Sequence, residues 1–123
     1  MKYTIEIDDA QLRVVMNALE DVGKFLSGKT GLRNTIAPLD NYQAVADQLR
    51  SLRHLVTPEH NFADDYDRFG TGCRNDQQRK LIARTLYMAA VMRNALGSDY
   101  KKSPVETNRD TGAEITITKK END

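Results

Sequence analysis

Four residues near the start of the chain, Gly23, Gly28, Lys29 and Thr30, stand at the spacing G-x-x-x-x-G-K-[ST]. In a phosphate-binding P-loop those letters let backbone N–H groups and a lysine wrap the phosphates of a nucleotide. The chemistry needs a buried strand before the loop and a helix beginning at the Lys-Thr end, so that the positive end of the helix dipole meets the anion. Here the order is reversed. A helical apolar stripe runs into the motif, and residues 31–38 beyond it read as a connector. A phosphate placed there would face the negative end of a dipole. No apolar run ending in Asp follows to hold magnesium. The letters are read as the place where a helix stops, with Lys29 on a flexible turn.

A better polarity for an anion comes later. Phe69, Gly70, Thr71, Gly72, Cys73 and Arg74 lead directly into Asn75, a helix-capping residue type. Two glycines, a hydroxyl and an arginine before a helix N-terminus offer free N–H groups, a favourable dipole and a cation. Arg79 and Lys80 follow in the first helical turn, and Tyr66 and Phe69 offer faces on which a base can stack. Asp64, Asp65 and Asp67 oppose this reading unless they point away. The alternative is a glycine-rich turn carrying a surface arginine.

Three further constellations are weaker. Asp65, Asp67, Gly70 and Asp76 match positions 1, 3, 6 and 12 of an EF-hand loop. Position 5 is Phe69, which supplies no oxygen, and position 12 lacks the bidentate glutamate. His54, His60 and Cys73 match no standard zinc spacing. Cys73 with a histidine lacks a third group to orient a thiol catalyst. No catalytic residue, metal site or cofactor is expected.

The elements that must position these residues follow from periodicity. Residues 2–7 alternate, with Tyr3, Ile5 and Ile7 on one side, and read as a half-buried strand. Asp8 with Gln11 forms a capping-box pattern opening a helix. Its stripe is Leu12, Val15, Leu19, Val22 and Leu26, widened by Met16 and Phe25. A second helix is expected from Asp40 or Asn41, with Tyr42, Val45, Leu49, Leu52 and Val56 as its stripe and Pro58 as its stop. Residues 57–74 form a loop of a length more often functional or mobile than structural. A third helix is expected from Asn75 or Asp76 to Leu96, ended by Gly97. It is apolar on several sides, which places it at the centre of a bundle or at a subunit interface. Residues 105–107 and 113–118, around an Asn/Asp/Gly-rich turn, suggest a hairpin, either strand of which can pair with the first. The expected fold is α+β and mainly helical: a three-helix bundle with a small antiparallel sheet, β-α-α-α-β-β. One domain spans 1–118, followed by a disordered tail, 119–123.

Composition narrows the partners. The chain has 123 residues, with 18 Lys plus Arg balancing 18 Asp plus Glu. That zero net charge argues against duplex nucleic acid, though local basic patches remain open. A single cysteine forms no internal disulfide. The longest apolar run, 88–92, is far short of the roughly 20 residues of a membrane span. A cytoplasmic protein without membrane contact is expected.

Several stretches carry a resemblance: YTIEIDDAQLR, ALED and FLSG at the start, LDNY followed by LVTP, NDQQRKLIA on the third helix, and SP before the closing strand. Together they make the chain similar to a group of short, mostly uncharacterised proteins of gut-bacterial phages and prophages. The resemblance brings no agreed catalytic residues with it. It implies a mobile-element setting inside a bacterial host, where small non-enzymatic proteins counter host defence by sequestering nucleotide signals or by binding a host protein. The functional expectation is a homo-oligomeric, non-enzymatic accessory protein that captures an anionic, nucleotide-like ligand through Tyr66, Phe69, Gly70, Thr71, Gly72, Arg74, Arg79 and Lys80. The alternative is an interaction module that inhibits a host protein through a helix face or the 57–74 loop.

Overall fold

The alternating residues at the N-terminus form strand β1 (Lys2–Glu6), and the chain turns at Asp8 into helix α1 (Asp9–Leu26). The expected capping box is present. Asp8 Oδ1 accepts from the Gln11 N–H at 2.8 Å, and Gln11 Oε1 accepts from the Asp8 N–H at 2.9 Å. The structure, a computed structural model, describes residues 1–58, 75–97 and 112–121. It is mainly helical with one two-stranded antiparallel sheet. After α1 come α2 (Arg33–Ile36), α3 (Tyr42–Arg50), α4 (Arg53–Val56), α5 (Asp76–Leu96) and strand β2 (Thr116–Lys120).

The expected second helix is therefore two. Its break has a local cause. A helix continuing past Arg50 needs the carbonyls of Gln48 and Leu49 for the N–H groups four residues on. Ser51 Oγ donates to the Gln48 carbonyl at 2.6 Å, and Thr30 Oγ1 donates to the Leu49 carbonyl at 2.5 Å. The Leu52 N–H turns to Leu49 instead, a tighter bond that ends the α-helical run. The short α2 lies inside the expected connector. Among the described residues the three long segments foreseen from periodicity thus appear as four helices, with α2 as a fifth, and the candidate strand at 105–107 lies outside those residues.

The sheet is β1 against β2, in the register Lys2↔Lys120, Tyr3↔Lys119, Thr4↔Thr118, Ile5↔Ile117, Glu6↔Thr116. Lys119 and Lys120, expected to begin a disordered tail, are strand residues here. Their charge hid the strand, whereas the register to Lys2 and Tyr3 extends it. Gln11 Nε2 donates to the Ala113 carbonyl at 2.9 Å and so docks the approach to β2 on the start of α1.

The core is the antiparallel pair α1 and α5. Leu26 meets Gln78, Gly23 meets Thr85 and Leu86, and Glu20 meets Arg93. The buried line along α1 shares Met16 with the expected stripe and otherwise differs from it. It runs through Ala10, Arg13, Met16, Asp21 and Gly23, with Ile82, Thr85 and Ala89 on α5, while Val15 and Val22 are exposed. The reason is distance. A Cβ built on Gly23 would stand 2.6 Å from Leu86 Cδ2 and 2.7 Å from both Leu86 Cγ and Thr85 Oγ1. The contact is tightest at Gly23, and it is there that a small residue is required. Asn75 caps α5 by accepting from the Gln78 N–H at 3.0 Å, and Gln78 Nε2 donates to the carbonyls of Leu26 (2.6 Å) and Val56 (3.0 Å). One side chain thereby ties α5 to the ends of α1 and α4.

Gly23→Ala tests the close approach. Alanine is the better helix former by about 1 kcal/mol. Overpacking against Leu86 and Thr85 is expected to outweigh that gain, so urea denaturation should show a net loss of up to about 2 kcal/mol.

Candidate functional site

The C-terminus of α1 decides what Gly28, Lys29 and Thr30 do. Gly28 has φ +97°, a conformation that suits glycine. Its N–H donates to the Phe25 carbonyl at 3.1 Å, and the Lys29 N–H donates to Lys24 at 2.9 Å. Those two bonds are a Schellman cap. The backbone donors that a P-loop would aim at phosphate are spent on closing a helix, and Gly23 lies inside that helix. The expected helix stop is what the structure contains.

Beyond the cap, three contacts fix the turn. Thr30, fully buried, holds the end of α3 through Leu49. Leu32, the residue before α2, adopts a left-handed conformation at φ +48°. For a residue with a branched side chain this costs about 1–2 kcal/mol. The buried carboxylate of Asp21, 3% exposed, offsets it by reaching across from α1 to cap α2. Asp21 Oδ1 accepts from the Asn34 N–H (3.3 Å) and Asn34 Nδ2 (3.0 Å), and Oδ2 accepts from the Thr35 N–H (2.7 Å) and Thr35 Oγ1 (2.6 Å).

This scaffold encloses a hollow of about 380 Å³ lined by Asp21, Lys24, Gly28, Lys29, Thr30, Gly31, Leu32, Arg33, Ala46, Arg50 and Arg53. Its lining has five cationic side chains and one carboxylate. A shallower depression adjoins it through Arg50 and Arg53 and adds Asp47, Ser51 and His54. On the other side, a cleft of about 510 Å³ between α1 and α5 shares Lys24 and Lys29 and adds Glu20, Ser27, Leu86, Tyr87, Ala90 and Arg93. Tyr87 is 69% exposed.

Lysines and arginines gather at helix C-termini for a structural reason, because they neutralise the terminal carbonyls. Magnitude separates that role from a binding role. The C-terminal ends of α1 and α3 near the hollow each carry at most roughly half a negative charge. Asp21 adds one negative charge, and Glu20, which accepts from Lys24 Nζ at 2.7 Å, adds another. Against five cations this leaves an excess of roughly two positive charges. Among the described residues, Lys29, Arg33 and Arg50 pair with no carboxylate.

Glu20 also receives Arg93 Nη2 at 3.2 Å and so links α1 to α5. Burial alone would raise its carboxyl pKa. The hydrogen bond and charge of Lys24, with those of Arg93, outweigh burial and hold it below the ordinary value of 4.5.

Of the residues expected to bind a ligand, Tyr66, Phe69, Gly70, Thr71, Gly72 and Arg74 lie outside the described residues. Arg79 and Lys80 are on the first turn of α5, and both contact Asp76, at 2.5 and 3.2 Å. Residues 65–70, His60 and Cys73 are likewise outside. Among the described residues no group of three or more His, Cys, Asp or Glu side chains is arranged to hold a metal, and no helix is long and apolar enough to cross a membrane. Sequence reasoning missed the hollow because its cations come from four separate elements. The one local signal was the crowding of Arg50, Arg53 and His54 at the end of the expected second helix.

Two outcomes are expected. Asp21→Ala leaves the Thr35 and Asn34 donors without their carboxylate and should lower stability by about 2–3 kcal/mol in denaturant titration. Because the folded pKa of Glu20 is depressed, its contribution is complete above pH 4.5 and is lost as pH falls through the lower folded value. Glu20→Gln should remove that part of the acid destabilisation in thermal melts taken across the range. Comparison with protein families, curated proteins and solved structures finds no match for this chain, so the chemistry of the hollow stands on these residues.

Proposed function

We propose that the protein is a non-enzymatic binding module that captures a small anionic, nucleotide-like ligand. The observation that carries the reading is the convergence of Lys24, Lys29, Arg33, Arg50 and Arg53 on one hollow of a chain whose net charge is zero. The arginines offer planar donor forks suited to phosphate oxygens. The neighbouring cleft shares Lys24 and Lys29 and presents Tyr87, an aromatic face for a base. A phosphate in the hollow and a base against Tyr87 make one ligand spanning both. The modest positive excess suits a mono- or dinucleotide better than a long polyanion.

In a phage-type setting this chemistry serves to sequester a nucleotide signal of the bacterial host, in the cytoplasm, as a counter to host defence. The ligand site moves from the loop before α5, where the sequence first suggests it, to the junction of α1, α3 and α4. The second reading, a module that docks on a host protein, draws support from α5, where Leu81, Met88 and Val91 are exposed.

Thermal-shift and calorimetric titration against cyclic and linear nucleotides is the test. At least one nucleotide should stabilise the protein, and Lys29→Ala and Arg50→Ala should each weaken binding roughly tenfold or more. Arg74→Ala reports on the earlier candidate loop and should leave affinity unchanged. No stabilisation by any nucleotide, with one stoichiometric protein retained from host lysate, would replace the first reading by the second.

A further inference from the structure

The sheet is a two-stranded ribbon whose residues are all exposed, including Tyr3 (59%), Ile5 (57%) and Ile117 (63%). Isolated two-stranded ribbons are marginal in water and need further strands or a packed face. The two outer edges of this one differ. The β2 edge ends in Lys119 and Lys120, and charged lysines are a common guard against edge pairing. The β1 edge, Lys-Tyr-Thr-Ile-Glu, carries charge only at its two ends, as Lys2 and Glu6 of opposite sign, and pairs with nothing among the described residues.

That five-residue sequence is self-complementary when read antiparallel. Centred on Thr4, a second copy places Lys2 opposite Glu6 at both ends, Tyr3 opposite Ile5 twice, and Thr4 opposite itself. Directly opposed residues in an antiparallel pair point to the same face, so this register keeps Tyr3, Ile5 and Ile117 of both copies together. It also answers a defect within the single chain. Lys2 stands directly opposite Lys120 in the ribbon, a like-charge pair that destabilises it. Among the described residues neither Lys2 nor Glu6 has an ion-pair partner. In the paired sheet the row across the strands becomes Lys120, Lys2, then the partner's Glu6.

We infer that the protein is a two-fold symmetric homodimer joined through β1, with a continuous four-stranded sheet in the order β2-β1-β1-β2. The occupant of the open edge is a second copy, and the lysines on each β2 edge stop the assembly at two. Isologous pairing of this kind is the symmetric closure expected of a homodimer. The inference is independent of any ligand in the hollow.

Sedimentation velocity of the full chain over a concentration series tests it, with circular dichroism confirming that each variant keeps its helices. The unaltered chain should sediment as a dimer. Glu6→Lys sets Lys2 against a lysine of the other copy at both ends and faces only Thr116 within its own ribbon, so the dimer dissociation constant should rise about tenfold or more. Combining Lys2→Glu with Glu6→Lys reverses both charges, restores the opposite pairs and should recover the dimer. A chain that stays monomeric up to millimolar concentration, a dimer indifferent to Glu6→Lys, or a charge reversal that fails to rescue would each overturn the inference.

Discussion

The close contact between α1 and α5 at Gly23 is the constraint on which the rest depends. With no side chain at that position, Thr85 and Leu86 come within touching distance of the α1 backbone. The contact sets both the separation of the two long helices and their rotation. Gly23 and Thr85 meet at this contact, Met16, Ile82 and Ala89 are buried, and Val15 and Val22 are turned outward. At one end of the seam Arg93 reaches Glu20, and at the other Gln78 reaches Leu26 and Val56. The helix ends that carry the candidate site are therefore positioned from the core outward.

Much of what holds those ends is polar. Thr30, Thr57, Thr85, Asp21, Arg13 and Ser27 are buried beside a short set of apolar residues, Ala10, Met16, Ile36, Ile82 and Ala89. Burying polar groups is tolerable only when each finds a partner. The threonines do so by bonding backbone carbonyls, Thr30 to Leu49, Thr57 to Arg53 and Thr85 to Leu81 and Ile82. Such bonds fix direction more strictly than apolar contact does, because a lost partner leaves a desolvated group behind. A small core stabilised this way trades hydrophobic area for geometric definition at the site where the helix ends meet.

What the sequence reveals and conceals divides along the same line. Interactions within a few residues were legible: the Asp8–Gln11 box, the Asn75 cap, the stop at Gly28 and the alternation of β1. Interactions across the chain were not. The split between α3 and α4 depends on Thr30, 19 residues before Leu49, taking a carbonyl that the continuing helix needs. The start of α2 is set by Asp21, 13 residues before Asn34. The α1 stripe was legible as a pattern, yet its rotation depends on a glycine whose role appears only when α5 is in place. The cationic hollow is the extreme case, since no window of sequence contains its residues together.

The Gly-Lys-Thr turn shows how the same letters acquire different physics. In a P-loop the glycines free the backbone, and rigid N–H groups define the phosphate site. Here Gly28 and Lys29 give their N–H groups to the α1 carbonyls, and the Thr30 hydroxyl goes to α3. Only the lysine side chain is left for an anion, together with arginines from α2, α3 and α4. An anion in this hollow is therefore recognised by side chains, whose forks adapt to more than one phosphate geometry and cost conformational entropy to order. Capture and release of a ligand require only net attraction and fit. In this turn the backbone therefore serves the fold, and only the Lys29 side chain is turned over to the hollow.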